Sequence, residues 1–218
     1  DRVILNGVAF DILKGSRTVL FGENGCGKTT LLRLISRLEK PTRGVILQNI
    51  SGKFGQKSKQ SKKWYKKVGV VYQNPDYQLF MPTVEKEIKF GAKSDEYADE
   101  IAEKFGVKHL YVRHPQSLSE GQKRRVSIAA VVATAPEVLI LDEPTVGQDY
   151  KGLCEMTEIL NRIHEETKNT MITVTHDKRC AAALCDRAVW IKDGKVRKTG
   201  GKELAEEFFK DPTGNAKN

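Results

Sequence analysis

The segment GENGCGKTT, from Gly22 to Thr30, is the most specific sequence pattern in this chain. Its first eight residues fit the phosphate-binding pattern G-x-x-x-x-G-K-[ST], and they stand between a short apolar run at 18–21 and a helical apolar pattern at 29–38. In such a strand–loop–helix context, backbone N–H groups of the loop and the helix N-terminus converge on phosphate. A chance glycine-rich turn is the alternative, and the flanking strand and helix argue against it. The sequence therefore predicts a site for ATP or GTP.

The loop also predicts roles for single side chains. Lys28 is expected to reach the β- and γ-phosphates, and the Thr29 hydroxyl is expected to bind Mg²⁺. The predicted nucleotide-binding residues are Gly22, Glu23, Asn24, Gly25, Cys26, Gly27, Lys28, Thr29 and Thr30.

The stretch VLILDE, residues 138–143, supplies a second part of the predicted site. Four consecutive apolar residues indicate a buried strand, and parallel sheets bind ligands at the carboxyl ends of their strands. Asp142 is therefore expected in the Mg²⁺ shell, and Glu143 is expected to polarise a water for in-line attack on the γ-phosphate. The alternative is that both carboxylates only cap the next helix.

Apolar periodicity predicts alternating strands and helices along the rest of the chain. Strands are predicted at 8–13, 18–21, 45–47, 68–72, 138–141, 171–174, 188–191 and 195–197, with a hairpin turn at Asp193-Gly194. Helices are predicted at 29–38, 94–105, 119–134, 153–163 and 202–209, and a mostly helical region at 107–113. This order predicts an α/β fold with a parallel core sheet, an antiparallel β edge subdomain and an inserted α-helical subdomain. We expect one domain over 1–218, with a core lobe at 1–75 and 137–210, a helical lobe at about 76–136 and a mobile tail at 211–218.

Composition restricts where the chain works. Of its 218 residues, 39% are hydrophobic and 30% are charged, as in a globular domain with a proper core. No stretch reaches the roughly 18 apolar residues of a membrane-spanning helix, and the start lacks the pattern of a signal peptide. The four cysteines show neither a CxxC pair nor metal-ligand spacing. We therefore expect any membrane role to be peripheral and the compartment to be reducing and cytoplasmic.

A net charge of +9 raises the question of a polyanionic partner. Much of the excess lies in one run, in which serine and glutamine intervene and Trp64-Tyr65 is the only aromatic pair. The lysines of this run are Lys53, Lys57, Lys59, Lys62, Lys63, Lys66 and Lys67. A solvated loop is favoured over a basic binding patch, and no nucleic acid partner is expected.

The segment Leu118-Ser119-Glu120-Gly121-Gln122 distinguishes the chain from other phosphate-loop (P-loop) NTPases. It resembles the signature sequence of the ABC ATPase family, and the resemblance covers nearly the whole chain. Ser119 is a good N-cap, and a helix N-terminus with Gly121 leaves N–H groups for a phosphate. In this family the signature faces the γ-phosphate of a second copy, so the resemblance implies a head-to-tail pair of ATPase domains. Read alone, the segment predicts only a capping box between Ser119 and Gln122.

Three further positions match the family. Gln73 resembles the Q-loop glutamine, which implies a link between Mg²⁺ and a membrane partner. The resemblance also implies that this partner is contacted through the region from Gln73 to Phe80. Asp149 resembles the residue that communicates across the dimer. His176 resembles the switch histidine at the γ-phosphate, although a lone histidine after a strand is more often structural. The resemblance implies ATP and Mg²⁺ as cofactors, catalytic roles for Glu143, His176, Lys28 and Gln73, and Mg²⁺ binding by Thr29, Gln73 and Asp142.

The stretches YQNPDYQLF at 72–80, VEKEIKFG at 84–91 and LSEGQKRRVSIA at 118–129 are similar to those of energy-coupling-factor and cobalt-type importers. This likeness implies an ATP-hydrolysing subunit that powers import of a vitamin or transition-metal ion through a separate transmembrane scaffold. It also implies a peripheral location on the cytoplasmic face of the cell membrane, beside a second ABC ATPase domain in a homo- or heterodimer.

Departures from the family leave other interpretations open. Glu120 replaces the usual small glycine of the signature, and Gln148 stands where an apolar residue is common. The aromatic residue that stacks on adenine in the family is expected upstream of residue 1, as in a piece of a longer ATPase or one half of a two-domain ATPase. The alternatives are a soluble ABC ATPase acting on ribosomes or nucleic acid, and a regulatory nucleotide-binding half of an asymmetric pair.

Overall fold

A six-stranded sheet forms the centre of the structure. The computed structural model describes residues 3–47 and 64–210, so most of the lysine-rich run and the tail predicted at 211–218 lie outside the described residues. The strands are β1 (Arg17–Phe21), β2 (Val68–Val71), β3 (Val138–Asp142), β4 (Thr170–Val174), β5 (Arg187–Lys192) and β6 (Lys195–Gly200). The helices are α1 (Lys28–Ile35), α2 (Val84–Lys89), α3 (Asp95–Lys104), α4 (Glu120–Ala133), α5 (Tyr150–Thr167), α6 (Lys178–Leu184) and α7 (Lys202–Lys210).

The sheet is parallel except at one edge. Its strand order is β2-β3-β4-β1-β5-β6, and β5 and β6 alone run antiparallel among the described strands. The central strand β4 is buried at all five positions, as expected of a sheet that is covered on both faces. The predicted α/β fold with a parallel core is thereby confirmed. Helices α2, α3 and α4 come between β2 and β3 in the chain. The predicted boundaries of the core lobe and the helical lobe stay a prediction.

The register of the sheet brings the carboxyl ends of four strands to one edge. Val174 of β4 lies opposite Asp142 on one side and opposite Leu20 on the other. Val71 of β2 lies opposite Leu141. The phosphate loop after β1, the carboxylates at the end of β3 and the loops after β2 and β4 therefore start at the edge where parallel sheets bind ligands.

The strands predicted at 8–13 and 45–47 are wrong. Neither segment pairs with a strand in the described part of the chain. Within 8–13, the apolar side chains on one face are half-buried against the core between the sheet and α1. The alternation of apolar and polar residues in this segment therefore reflects packing, without the hydrogen bonds of a β ladder. Leu47 is 70% exposed, and this segment has no partner strand among residues 3–47 and 64–210 to give it ladder hydrogen bonds. The predicted turn at Asp193-Gly194 is confirmed, and it joins the antiparallel strands β5 and β6.

The predicted helices form, several with shorter limits. The first, predicted to run to residue 38, ends at Ile35. The region predicted as mostly helical at 107–113 contains one 3₁₀ turn, Lys108–Leu110. Helices α2, α3 and α4 pack their apolar faces into one core with β3 and α5. Among the described residues, no helix is both long and apolar enough to cross a membrane.

Candidate active site

The phosphate loop is a tight turn that glycine makes possible. A Cβ at Gly22 would lie 2.1 Å from the carbonyl oxygen of Ile191, and Gly27 has a φ of 105°, where side chains are strained. Gly27 caps α1, so the loop brings the N-terminus of an eight-residue helix to the sheet edge. Lys28 Nζ donates hydrogen bonds to the carbonyl oxygens of Gly22 (2.8 Å) and Glu23 (2.9 Å). The Lys28 amine therefore lies inside the loop that it is predicted to serve.

The remaining predicted residues of the loop differ in exposure. The Cys26 side chain is buried beside Gly22, and burial raises the pKa of its thiol. Thr30 is half-buried in the first turn of α1. The exposed positions are Glu23, Asn24, Gly25 and Thr29.

The structure brings Glu143 and His176 together, although 33 residues separate them. Glu143 Oε1 and His176 Nδ1 share a hydrogen bond of 2.7 Å, and the backbone N–H of His176 donates to Glu143 Oε2 at 3.3 Å. Glu143 is buried with a φ of 52°, and its N–H donates to the Val174 carbonyl oxygen. Because the backbone holds Glu143 in this strained region, its carboxylate turns from the end of β3 toward the loop after β4. Such an arrangement can hold a water with one carboxylate and one imidazole.

Asp142 is a buried carboxylate with no basic side chain in hydrogen-bond contact among the described residues. Burial, followed by the negative charge of Glu143, raises its pKa to about 6, against the opposing charges of Lys28, Arg124 and Arg33. A cation at this position would remove that cost, and a carboxylate with hydroxyl and amide oxygens is a donor set suited to Mg²⁺. Asp142 therefore fits the predicted ion on its chemistry.

The raised pKa predicts the pH dependence of stability. The folded Asp142 carboxyl has a pKa of about 6, against an ordinary value of 3.8. Its contribution to the free energy of unfolding is therefore fully present below the ordinary pKa and is lost as the pH rises through about 6. In the absence of Mg²⁺ and nucleotide at pH 7.5, we expect Asp142→Asn to increase the free energy of unfolding by about 2 kcal/mol. In a domain of this size, that gain raises the Tm by roughly 4–8 °C. Scanning fluorimetry from pH 4.5 to 8 checks this, with exposed Asp11→Asn as the control. Parallel curves for Asp142→Asn and the wild type would contradict the assignment.

The predicted signature lies at the N-terminus of α4. Ser119 is the N-cap, its Oγ accepts the N–H of Gln122, and the Gln122 side chain accepts the N–H of Ser119, so the capping box is confirmed. Leu118 is buried in front of it. The Glu120 carboxylate accepts a hydrogen bond from Lys123 Nζ at 3.3 Å. Lys123 thereby partly neutralises the unusual charge of the signature.

Gln148 and Asp149 connect the loop after β3 to the signature helix and to α5. Gln148 Nε2 donates to the Gly121 carbonyl oxygen at 3.2 Å. The glutamine at this position, where an apolar residue is common, therefore has a hydrogen-bond partner within the chain. Asp149 caps α5, and its side chain accepts the N–H of Gly152 at 2.7 Å. The role of Asp149 across a dimer stays a prediction.

The loop after β2 is held by α4. Gln73 is exposed, and its carbonyl oxygen accepts a hydrogen bond from Arg124 of α4. Arg124 Nη1 also donates to the Tyr72 carbonyl oxygen at 2.8 Å, and Lys123 Nζ donates to Asp76 at 2.9 Å. The sequence patterns did not predict these contacts. A signal was present, however, since consecutive basic residues in the first turns of a helix oppose its dipole and need partners elsewhere.

Exposed aromatic side chains lie in this loop and beyond it. Tyr77, Phe80 and Phe90 are 80%, 67% and 57% exposed, and the Phe80 and Phe90 rings meet edge to face at 5.3 Å. The buried Glu87 carboxylate accepts the N–H groups of Phe80 (2.9 Å) and Met81 (2.7 Å), and burial raises its pKa. We name Tyr77, Phe80 and Phe90 the aromatic surface. Large exposed aromatic groups at one place are typical of an interaction site.

Known proteins resemble this chain in sequence and in fold. The model of the ABC transporter family matches residues 5–146. The energy-coupling factor transporter ATP-binding protein EcfA2 of Enterococcus faecalis is 41% identical over 205 residues, which are 87% of this chain and 69% of that protein. The EcfA2 protein of Bacillus subtilis is 39% identical over 210 residues, which are 92% of this chain and 76% of that protein.

Two solved structures share the fold. The cbiO1 protein of Clostridium perfringens, described as part of the ABC transporter complex cbiONQ, has a TM-score of 0.79 at 34% identity, covering 95% of this chain and 84% of that one. The ATP-binding cassette MJ0796, a dimer in a post-hydrolysis state with ADP and Pi, has a TM-score of 0.77 at 28% identity. The alignment covers 91% of this chain and 90% of that cassette.

Proposed function

The chain belongs to the ABC transporter family, as an ATPase of the energy-coupling-factor type, and we propose that its buried Glu143 with His176 forms the hydrolytic centre that powers import. The hydrogen bond between these two side chains, at the sheet edge that also carries the phosphate loop, is the observation that supports the proposal most. The substrate is a vitamin or transition-metal ion that crosses the membrane through a separate scaffold. The names of the EcfA2 relatives and of the cbiONQ complex support a role in a transporter, and the substrate class follows from the resemblance of residues 72–80, 84–91 and 118–129 to energy-coupling-factor and cobalt-type importers.

Each side chain of the proposed centre has a distinct task. Lys28 and the N–H groups at the start of α1 hold the phosphates of ATP and stabilise charge on the transferred phosphoryl group. Glu143 orients the attacking water and accepts its proton, and His176 fixes the carboxylate and contacts the γ-phosphate. Mg²⁺, held by Thr29, Asp142 and Gln73, supplies positive charge to the phosphate oxygens when bound.

The proposed working unit is a pair of ATPase domains. The N-terminus of α4, with Ser119 as N-cap and Gly121 in its first turn, offers backbone N–H groups to a phosphate. We assign them to the nucleotide of a second ABC ATPase domain, and Asp149 to communication across that pair. The dimeric state of the MJ0796 cassette supports a pair of this kind. Leu118, Glu120 and Gln122 complete the signature segment.

The aromatic surface is the proposed contact with the transmembrane scaffold. Tyr77 and Phe80 lie within residues 73–80, so movement of the nucleotide site reaches this surface through a short loop. Three exposed aromatic rings offer the apolar anchors that a protein partner uses. The chain would then act on the cytoplasmic face of the membrane as a peripheral subunit.

We expect Phe80→Asp to detach the chain from the membrane. A charge in place of an aromatic anchor that the scaffold would bury costs about 2 kcal/mol or more of binding, so the membrane-bound fraction should fall roughly tenfold or more. Cell fractionation measures this, and the affinity for ATP should stay unchanged. Leu38→Asp is the matched control, because Leu38 is 58% exposed at the far end of the α1 region. A Phe80→Asp protein that stays on the membrane like the control would refute this contact.

A further inference from the structure

Arg124 is a buried cation that joins two parts of the proposed site. Its side chain is 3% exposed, and its guanidinium donates to the carbonyl oxygens of Tyr72 and Gln73. Arg124 lies in the second turn of α4, five residues after the N-cap Ser119. One side chain thus connects the signature helix to the peptide that carries Gln73.

This contact is a poor source of stability for the fold. Both acceptors are uncharged carbonyl groups, and Arg124 Nε has no hydrogen-bond partner in the described part of the chain. Burial lowers the pKa of Arg124, and the charges of Glu120, Asp142 and Glu143 counter that effect only in part. A buried charge without a directly paired carboxylate generally costs more than an apolar side chain of similar volume.

The geometry of the contact is suited to transmitting movement. The planar guanidinium binds two consecutive carbonyl groups, so it fixes the orientation of the Tyr72–Gln73 peptide as well as its distance from α4. Lys123, one residue earlier, reaches Asp76 in the same loop at 2.9 Å. A shift of the N-terminus of α4 therefore displaces the whole loop after β2.

We propose that Arg124 is a positioning residue that couples the signature end of α4 to Gln73, so that closure on the partner's nucleotide sets Gln73 in this chain's own site. This inference rests on the proposed pair of ATPase domains. The signature serves one nucleotide and Gln73 serves the other, so Arg124 gives each chain a direct connection between the two sites. Its effect is on turnover and on the loop, and not on the affinity for the first nucleotide.

The test compares Arg124→Met, Arg124→Lys and the control Arg125→Met in the assembled complex of the chain, its second ATPase domain and the scaffold. Arg125 is the next residue of α4, but its Nη2 pairs with Glu155 of α5 at 2.6 Å. We expect Arg124→Met to lower kcat roughly 100-fold, the usual effect of misplacing a catalytic group by about 1 Å, with KM changed less than about twofold. Arg124→Lys keeps the charge but loses the planar fork, and a loss of about tenfold is expected.

Hydrogen exchange gives a readout that a merely structural role would not change. With Glu143→Gln added to prevent turnover, ATP should protect the amides of residues 72–78 in the Arg125→Met complex and fail to protect them in the Arg124→Met complex. If the Tm of Arg124→Met shows that this variant is unfolded, the kcat and the ATP-dependent protection of Arg124→Lys test the inference instead. Wild-type kcat with normal ATP-dependent protection in the folded Arg124 variants would overturn the inference. A wild-type complex without ATP turnover that Glu143→Gln reduces would instead refute the proposed function.

Discussion

Glu143→Gln is expected to lower the kcat for ATP hydrolysis by about 10²–10⁴-fold, the usual contribution of a positioned general base. The amide keeps the size of the side chain and can still bond to His176 Nδ1, so the site geometry should persist. What the substitution removes is the capacity to accept the proton of the attacking water. Affinity for Mg·ATP should stay within a few-fold, and the pair of domains should accumulate in the ATP-bound state.

The matched control is Glu137→Gln. Glu137 is exposed before the start of β3 and pairs with Lys67 at 2.6 Å, so the same chemical change is made near the other end of the same strand. Its turnover should equal that of the wild type. Phosphate release measured on the purified pair compares the three proteins. Equal rates for Glu143→Gln and Glu137→Gln would remove Glu143 from the reaction.

Lys28→Met is expected to weaken ATP binding on the order of 100-fold, because it removes a charge-assisted hydrogen bond of about 1.5–3 kcal/mol to the phosphates. Turnover should fall further, on the order of 10³-fold, since the same charge stabilises the transferred phosphoryl group. Methionine keeps the apolar stem of lysine. It cannot, however, donate to the carbonyl oxygens of Gly22 and Glu23, which Lys28 bonds in this structure.

Thermal shift with Mg·ATP measures this loss of binding. Nucleotide stabilises the folded chain in proportion to the logarithm of its concentration over Kd, so a weaker complex gives a smaller rise in Tm. Lys40→Met, at an exposed position after α1, serves as the control. A Lys28→Met protein whose Tm rises with ATP as in the control would contradict the role of the loop.

The sequence predicted the parts of the fold that depend on local patterns. The phosphate loop is specified by its own glycines, and the run of four apolar residues before Asp142 indicated the buried strand that forms there. Ser119 with Gln122 predicted a capping box because both partners lie within one turn. These features need no information about distant parts of the chain.

The features that were missed depend on partners far away in sequence. The 8–13 segment alternates as a strand does, but a strand also requires a neighbour to bond with. Arg124 and Gln73 are 51 residues apart, and Gln148 and Gly121 are 27 apart. Only the packed fold reveals which carbonyl group a basic or amide side chain reaches.

Co-purification of the Glu143→Gln protein tests the central proposal most directly. The tagged protein would be isolated with Mg·ATP from detergent-solubilised cells, and its bound proteins identified by mass spectrometry. We predict that a second ABC ATPase domain and a polytopic membrane scaffold co-purify, and that adding Phe80→Asp removes the scaffold and leaves the ATPase domain. Ribosomes or nucleic acid without a membrane protein would contradict the importer function and favour a soluble ABC ATPase.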